Sequence, residues 1–214
     1  FNKVVFRENN ARQGGAVFGY CRENSDLCSI TFNDCQFLNN LAEYKVDDDS
    51  GGFWGGQGGA ASLFTYDPGV PFEFNRCIFK GNIAEPKKSH SGRGGAVSIS
   101  GGVNFVNCLF YNNQTVNYDA FCEDFEDEEG NSWTNCGHLN GGALFLYSSH
   151  WNSDLEEWIG SKSSVINSTF VGNRIFLDGN EGGTNLSPAI HLDGTYNQGS
   201  NTNSEIILFN NIFY

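Results

Sequence analysis

Short segments in which apolar and polar residues alternate run along the whole chain. Val97-Ser98-Ile99 and Val103-Asn104-Phe105 are two of them, and each has apolar first and third residues. Successive side chains of a β-strand point to opposite faces, so this alternation predicts short strands with one buried face. Helical spacing of apolar residues is not convincing in any segment. The pattern predicts an all-β fold.

These segments belong to a repeat whose clearest mark is Phe-x-x-Asn, and internal repeats of this kind indicate a solenoid. The repeat phenylalanines are Phe6, Phe37, Phe79, Phe110, Phe170 and Phe213. The asparagines three residues later are Asn9, Asn40, Asn82, Asn113 and Asn173. Gly-Gly-Ala recurs at 14–16, 58–60, 94–96 and 141–143, with a degenerate Ser-Pro-Ala at 187–189. Insertions at 43–57, 114–140 and 148–162 make the spacing between copies unequal.

The ordered repeat predicts a single-stranded solenoid, a triangular coil of about five turns with three short strands in each. Stacked coils lie about 4.8 Å apart, so we expect the phenylalanines to form an interior column and the asparagines a ladder at a corner. The glycines allow a sharp bend and the close approach of a neighbouring backbone. An antiparallel sandwich would also alternate, but it does not require the same residue types at the same corner of every copy.

The Gly-Gly-Ala-[Ile/Leu/Val] and Phe-x-x-Asn elements resemble the repeats of the chlamydial-type polymorphic outer-membrane proteins and of related β-helix repeat proteins. The resemblance covers nearly the whole chain, in four good copies and two partial ones. It implies a right-handed parallel β-helix displayed at a cell surface as a passenger, adhesin or structural stalk. The chain departs from the family pattern in its long insertions and at Ala61, where the family prefers a larger residue.

The cysteines fall into two kinds. Cys21 with Cys28, and Cys122 with Cys136, lie close enough in sequence to close short disulfide rings. The other three each precede a repeat phenylalanine by two residues, which places them on the inward face. They are Cys35, Cys77 and Cys108. We interpret these three as buried thiols, with a disulfide between neighbouring copies as the alternative. Zinc binding is the weaker interpretation, because the chain has no CxxC pair.

Three Asn-x-Ser/Thr sequons and the loop disulfides favour a secreted or cell-surface location. Asn113 is a ladder residue, so we expect its amide to be buried and free of glycan. Asn167 flanks a corner and Asn185 lies in a loop, so both are candidates for glycosylation.

The net charge of −13 argues against nucleic acid and anionic membrane surfaces as partners. No apolar run approaches the about 20 residues that span a bilayer, so we expect no membrane insertion. The acidic stretches 47–49 and 123–129 do not have EF-hand spacing, and we interpret them as solvated loops. We predict no cofactor, with calcium at these stretches as the alternative.

Catalysis is the alternative function, because polysaccharide lyases and glycoside hydrolases also use β-helices. They need carboxylates gathered on one face. Among the strand residues expected to point outward, only Glu73 is acidic. The first expected outward set is Val17 or Phe18, with Ser62, Ser98, Phe145 and His191, and the second is Thr31, Glu73, Asn104 and Ile207. We therefore expect no enzyme, an expectation that polysaccharide turnover lost on mutating Glu73 would overturn.

All four tryptophans lie in insertions. They are Trp54, Trp133, Trp151 and Trp158. Such rings either contact sugars or partners, or fold back to anchor long loops against the coil wall. The chain begins and stops inside a repeat, so we interpret it as one β-helix segment, residues 1–214, of a longer protein. Its expected role is a non-catalytic scaffold or adhesin that contacts other chains, further repeats or carbohydrate.

Overall fold

A computed structural model describes residues 1–21, 29–44, 55–65, 72–86, 91–117, 122–126, 130–136, 139–147, 149–152, 157–177, 189–193 and 205–214. Within these ranges there are 27 β-strands and no helix, which confirms the all-β prediction. The described residues accordingly include no apolar helix long enough to cross a membrane.

The strands are short, and most have three to five residues. In chain order they are β1 (Val5–Arg7), β2 (Asn10–Ala11), β3 (Val17–Cys21), β4 (Thr31–Asn33), β5 (Gln36–Leu38), β6 (Leu41–Glu43), β7 (Ala61–Thr65), β8 (Phe72–Asn75), β9 (Ile78–Lys80), β10 (Ile83–Glu85), β11 (Gly92–Arg93), β12 (Val97–Ser100), β13 (Val103–Val106), β14 (Leu109–Tyr111), β15 (Gln114–Asn117), β16 (Cys122–Glu126), β17 (Ser132–Cys136), β18 (Leu139–Asn140), β19 (Leu144–Tyr147), β20 (Ser149–Asn152), β21 (Glu157–Gly160), β22 (Lys162–Ile166), β23 (Thr169–Val171), β24 (Arg174–Leu177), β25 (Ile190–Asp193), β26 (Glu205–Phe209) and β27 (Ile212–Phe213).

Four parallel sheets contain most of these strands. Sheet 1 has the order β1-β5-β9-β14-β23-β27, sheet 2 has β2-β6-β10-β15-β24, sheet 3 has β3-β7-β12-β19-β25, and sheet 4 has β4-β8-β13-β22-β26. Strands β11 and β18 form a small parallel pair, and the antiparallel pairs β16-β17 and β20-β21 are hairpins. The chain visits sheets 1, 2, 3 and 4 in that order on every pass, an arrangement consistent with the predicted parallel β-helix.

Sheet 2 was missing from the prediction of three strands per coil. Its strands follow the ladder asparagines, and each has only two to four residues. Their inward positions include Ala42, Ala84 and Thr115, which are small and give little apolar alternation. Two of the predicted insertion boundaries overlap sheet 2 for the same reason, since residues 114–117 are strand β15 and Glu43 ends β6. The third insertion ends at Lys162, which is the first residue of β22 in sheet 4.

Two columns of phenylalanine rings fill the interior. The repeat phenylalanines of sheet 1 stack with centroid separations of 4.8 Å for Phe6 on Phe37, 4.7 Å for Phe79 on Phe110, and 5.0 Å for Phe170 on Phe213. A second column, which the prediction lacked, consists of Phe1, Phe32, Phe74 and Phe105. Rings of the two columns meet edge to face, for example Phe74 and Phe79 at 5.5 Å. Both geometries are favourable for aromatic pairs.

The ladder asparagines lie at the turn from sheet 1 to sheet 2 and bond to the next layer. Asn82 Nδ2 donates to Asn113 Oδ1 at 2.9 Å and to the carbonyl oxygen of Phe37 at 2.9 Å. Asn82 Oδ1 accepts from the backbone N and from Nδ2 of Asn40. Asn9 and Asn173 extend the same chain of bonds at its two ends. Each buried amide is therefore satisfied by its neighbours.

The Gly-Gly corner before sheet 3 depends on both glycines. The first has a positive φ, such as 62° at Gly58 and 64° at Gly94. A Cβ on the second would collide with the next layer, since at Gly59 it would lie 2.0 Å from the carbonyl oxygen of Gly95. Both positions therefore require glycine, the first because of its positive φ and the second because the neighbouring backbone leaves no room for a Cβ.

Candidate binding surfaces

The three predicted thiols are free and buried, and they form part of a hydrogen-bonded column. Cys77 Sγ donates to the carbonyl oxygen of Phe32 at 3.4 Å, and Cys108 Sγ donates to that of Phe74 at 3.2 Å. Cys35 makes the equivalent contact with Phe1 at 3.7 Å. Ser168 and Asn211 take the place of the cysteine in the next two layers. The Asn211 side-chain amide donates to the carbonyl oxygen of Val165. These positions therefore satisfy the backbone at the corner between sheets 4 and 1.

The environment of Cys77 makes its thiol a poor nucleophile. The neighbouring Cys108 thiol, together with burial, raises the pKa of Cys77. Since the thiolate is the reactive form, Cys77 stays protonated near neutral pH. The hydrogen bonds of the three thiols to backbone carbonyls give the column a structural role at this corner.

The disulfide predictions fall partly outside the described residues. Cys21 is buried and disulfide-bonded, whereas Cys28 lies outside the described ranges. Cys122 and Cys136 are directly opposite each other at the open end of the β16-β17 hairpin. That register suits a cross-strand bridge, and the Cys122–Cys136 disulfide stays a prediction.

The sequons occupy different environments. Asn113 is fully buried, and its Nδ2 donates to Asn173 Oδ1 and to the carbonyl oxygen of Phe79. Asn167 is exposed at a corner with φ 49°, where its Oδ1 accepts a bond from Asn210. Asn185 lies outside the described residues. A glycan attached to Nδ2 is sterically compatible with the exposed Asn167 and not with the buried Asn113.

Insertions enter the fold only at two of its four connections. The links from sheet 4 to sheet 1 and from sheet 1 to sheet 2 have two residues in every pass. The links on either side of sheet 3 vary in length and include both hairpins. The β16-β17 hairpin precedes strand β19 and the β20-β21 hairpin follows it. The large additions to the fold therefore flank sheet 3.

The hairpins place aromatic residues opposite one another. Trp151 and Trp158 are register partners in the β20-β21 hairpin, and Phe125 and Trp133 are partners in the β16-β17 hairpin. Each hairpin therefore has one aromatic–aromatic register pair among its described residues. Trp54 lies outside the described residues.

The acidic stretch 123–129 is partly a strand rather than the expected loop. Residues Glu123–Glu126 belong to β16, while 127–129 and 47–49 lie outside the described residues. Among the described residues no group of three or more acidic, cysteine or histidine side chains is placed to hold a metal ion. Calcium binding stays an untested alternative.

Sheet 3 does not present its outward residues to solvent as expected. Ser62 and Ser98 are buried, and Phe145 is only 1% exposed. The Arg93 guanidinium lies 4.9 Å from the centroid of the Phe145 ring, and His191 stacks on that ring at 5.4 Å. Most of this face is therefore enclosed.

Sheet 2 carries a pair of carboxylates that was not among the candidate residues predicted from the sequence. Glu43 and Glu85 are register partners on adjacent strands β6 and β10. Asn10 Nδ2 donates to Glu43 Oε2 at 3.2 Å. The expectation that no face gathers carboxylates is thus wrong for sheet 2, because the strand that holds them was not recognised.

In the described part of the chain, sheet 1 is joined to sheets 4 and 2 only by two-residue corners, and its outward residues are half-buried or exposed. Outward residues flank each repeat phenylalanine. Those before it are Val5, Gln36, Ile78, Leu109, Thr169 and Ile212. Those after it are Arg7, Leu38, Lys80, Tyr111, Val171 and Tyr214. None of the twelve is acidic, although the chain has 25 Asp and Glu residues.

An ion pair marks one corner beside this sheet. Arg76 Nε and Nη2 donate to the two carboxylate oxygens of Asp34 at 2.7 and 2.9 Å. These hydrogen bonds lower the pKa of Asp34. Both residues are solvent-exposed and have positive φ, so the pair mainly orders the corner.

Comparison with known proteins gives no assignment: no family model, curated protein or solved structure matches the chain.

Proposed function

We propose that the chain is a right-handed parallel β-helix segment of about five coils that acts as a non-catalytic scaffold or adhesin outside the cell. The repeated order of the four sheets and the stacked phenylalanines support the coil arrangement. The proposed resemblance to chlamydial-type polymorphic outer-membrane protein repeats leads to the same role.

The observation that carries the proposal is the segregation of insertions. Two connections keep a length of two residues throughout, whereas the two beside sheet 3 accept hairpins. A solenoid tolerates loop growth where it does not disturb stacking. Opposed aromatic residues at Trp151 and Trp158 then supply flat apolar surface for a glycan or a protein partner.

Binding to an array of immobilised oligosaccharides and to extracellular matrix proteins tests this role. We expect at least one ligand to bind the wild-type chain and to lose at least tenfold in affinity with the double substitution Trp151→Ala and Trp158→Ala. The matched control is Asn152→Ala with Glu157→Ala, the neighbouring register pair of the same hairpin. Equal binding by both variants, or no ligand at all, would refute presentation by this hairpin.

The extracellular location is supported by disulfide-bonded Cys21 and by the exposed sequon at Asn167. In the chain secreted from eukaryotic cells, peptide mass spectrometry should find a glycan on Asn167 and none on Asn113. A glycan on Asn113 in folded protein would contradict the buried ladder.

A polysaccharide lyase or glycoside hydrolase is the second candidate, and the Glu43–Glu85 pair favours it. Neighbouring parallel strands hold the two residues about 4.8 Å apart at Cα, and paired carboxylates serve as acid and base in glycoside hydrolysis. Incubation with acidic and neutral polysaccharides, followed by assays for reducing and unsaturated ends, separates the candidates. Turnover that disappears in Glu85→Gln would establish the enzyme and reject the scaffold.

A further inference from the structure

The outward face of sheet 1 has the composition of an interface core rather than of a solvated wall. Apolar side chains such as Leu38, Ile78 and Leu109 predominate, and the two charges, on Arg7 and Lys80, are both positive. Interface cores are depleted in charge and enriched in aromatic and aliphatic residues. The chain has a net charge of −13, yet none of the six strands of sheet 1 contains an acidic residue. The outward face of sheet 1 is therefore suited to close approach by another molecule.

The size of this face is sufficient for a modest interface. Six strands at about 4.8 Å spacing give an area of about 600 Å² when the width of about 20 Å includes the short corners on both sides. Those corners add charged residues to the rim of the face, among them the Asp34–Arg76 ion pair. Two such faces would bury about 1,200 Å² in total, which is the lower end for specific protein interfaces.

The order of residues along the face identifies the partner. Number the strands of sheet 1 as rows one to six, from β1 to β27. If a second copy is rotated by 180° about the strand direction, row three meets row four, row two meets row five, and row one meets row six. The residues before the phenylalanines then face each other, and so do those after them.

This alignment sets compatible side chains opposite each other at all six positions. Val5 meets Ile212, and Ile78 meets Leu109, while Gln36 meets Thr169. Leu38 meets Val171, which is a third apolar pair. Arg7 and Lys80 meet Tyr214 and Tyr111, and a cation over a tyrosine ring is favourable. The same pairing already exists within the chain, where Lys80 Nζ lies 5.6 Å from the centroid of the Tyr111 ring.

The other twofold arrangement, about the stacking direction, does not match. Each row would then face itself in reverse, which would set Lys80 against Ile78, Arg7 against Val5 and Gln36 against Leu38. Polar and charged groups would lose water without finding partners. The outward residues of two copies therefore match only when the two stacks run antiparallel.

We propose that the outward face of sheet 1 binds the same face of a second copy of this chain, with the two stacks antiparallel. The inference goes beyond the scaffold role and depends only on the strand register. Isologous contacts of this kind produce closed dimers rather than open fibres. The aromatic hairpins beside sheet 3 take no part in the contact.

Sedimentation of the 214-residue chain over a micromolar concentration series tests the association. We expect a reversible monomer–dimer equilibrium whose association constant falls at least tenfold in Leu109→Lys. Asn104→Lys is the matched control, because Asn104 points outward from β13, the strand that comes directly before β14 in the chain but belongs to sheet 4. Circular dichroism and urea unfolding establish that both variants fold. A monomer at all concentrations, or an association that survives Leu109→Lys, would overturn the proposal.

Cysteine cross-linking tests the orientation. An equimolar mixture of Leu38→Cys and Val171→Cys chains should form a mixed disulfide dimer on mild oxidation. Either variant alone should not, because the two copies of one position would lie about 14 Å apart along the stack. Efficient cross-linking of a single variant would reject the antiparallel alignment. Loss of dimerisation would leave glycan binding by the hairpin unaffected, so the two proposals fail separately.

Discussion

At the scale of the residue, stability comes from side chains that have the same partner in every layer. Asn82 is fully buried and makes four hydrogen bonds, two as donor and two as acceptor. No other uncharged side chain of similar length offers both a donor and an acceptor in this geometry. The ladder position is therefore restricted to asparagine for a chemical reason.

Replacing Asn82 with alanine should destabilise the chain by about 3 kcal/mol or more. The substitution leaves the buried carbonyl of Phe37 and the backbone N–H of Asn40 without a hydrogen-bond partner. Each unsatisfied buried group costs about 1–3 kcal/mol. Urea unfolding measures the change. Asn75→Ala is the control, since the Asn75 side chain makes one described hydrogen bond, to Asn33 Oδ1, and its loss should cost less than about 1 kcal/mol. Similar losses at both sites would contradict the special role of the ladder.

The second glycine of the corner leads to another residue-scale prediction. Gly59→Ala should prevent stable folding, because its Cβ would meet the backbone oxygen of Gly95 at 2.0 Å and neither backbone can move without breaking the stack. At Gly19 the atoms in the way are the side-chain ends of Leu63 and Ile30, which can rotate. Gly19→Ala should therefore cost only about 1–3 kcal/mol. Thermal unfolding monitored by circular dichroism compares the two variants.

At the scale of the element, the corners determine where the fold can vary. Corners of two residues contain left-handed positions, among them Asp34, Arg76 and Gly81, that turn the chain abruptly. The residue count is constant there because the strands on both sides share one register. The connections beside sheet 3 have no such constraint in the described passes, and both hairpins occur there.

Deleting residues 149–160 should leave the fold intact. The deletion removes the β20-β21 hairpin and is combined with Ser148→Gly and Ser161→Gly, so that the remaining two-residue link has the Gly-Gly sequence of 101–102, where Gly101 has a φ of 121°. Shorter loops lose less entropy on closure, so the free energy of unfolding should change by no more than about 1 kcal/mol. Deletion of Gln114–Asn117 is the contrasting variant, because it removes strand β15 from sheet 2 and should abolish cooperative unfolding. The opposite ranking would show that the strand assignments are mistaken.

At the scale of the whole molecule, the described strands of the four sheets contact mainly the layers before and after them. Stability in such stacks is close to a sum of nearest-neighbour terms. Layers with neighbours on both sides are held by two interfaces and those at the edges of the stack by one. The described structure is therefore most resistant in its middle.

Hydrogen exchange should reveal this gradient along sheet 1. Amides of β9 and β14 should exchange more slowly than those of β1 and β27, which lie at the edges of the sheet. The reason is that edge layers open locally at lower free energy than central ones. Mass spectrometry of peptic fragments resolves the strands. Uniform protection would indicate that the stack unfolds only as a whole, or that the edges are covered by association.

The sequence by itself determined the all-β class, the phenylalanine column and the asparagine ladder. In each of these features the same residue type recurs at the same position of every coil. Stacked coils bring these equivalent residues into contact, so the repeat in the sequence predicts the contact. Buried thiols at Cys35, Cys77 and Cys108 followed from their fixed distance to the phenylalanines.

Only the tertiary structure decided the rest. Sheet 2 and its Glu43–Glu85 pair escaped notice because small inward residues such as Ala84 leave no apolar signal. The burial of Ser62 and Phe145 depends on groups that are distant in sequence, as Arg93 over Phe145 illustrates. The match between the outward faces of sheet 1 needed the register of six strands, because residues 31 to 60 positions apart become neighbours only when the chain is stacked.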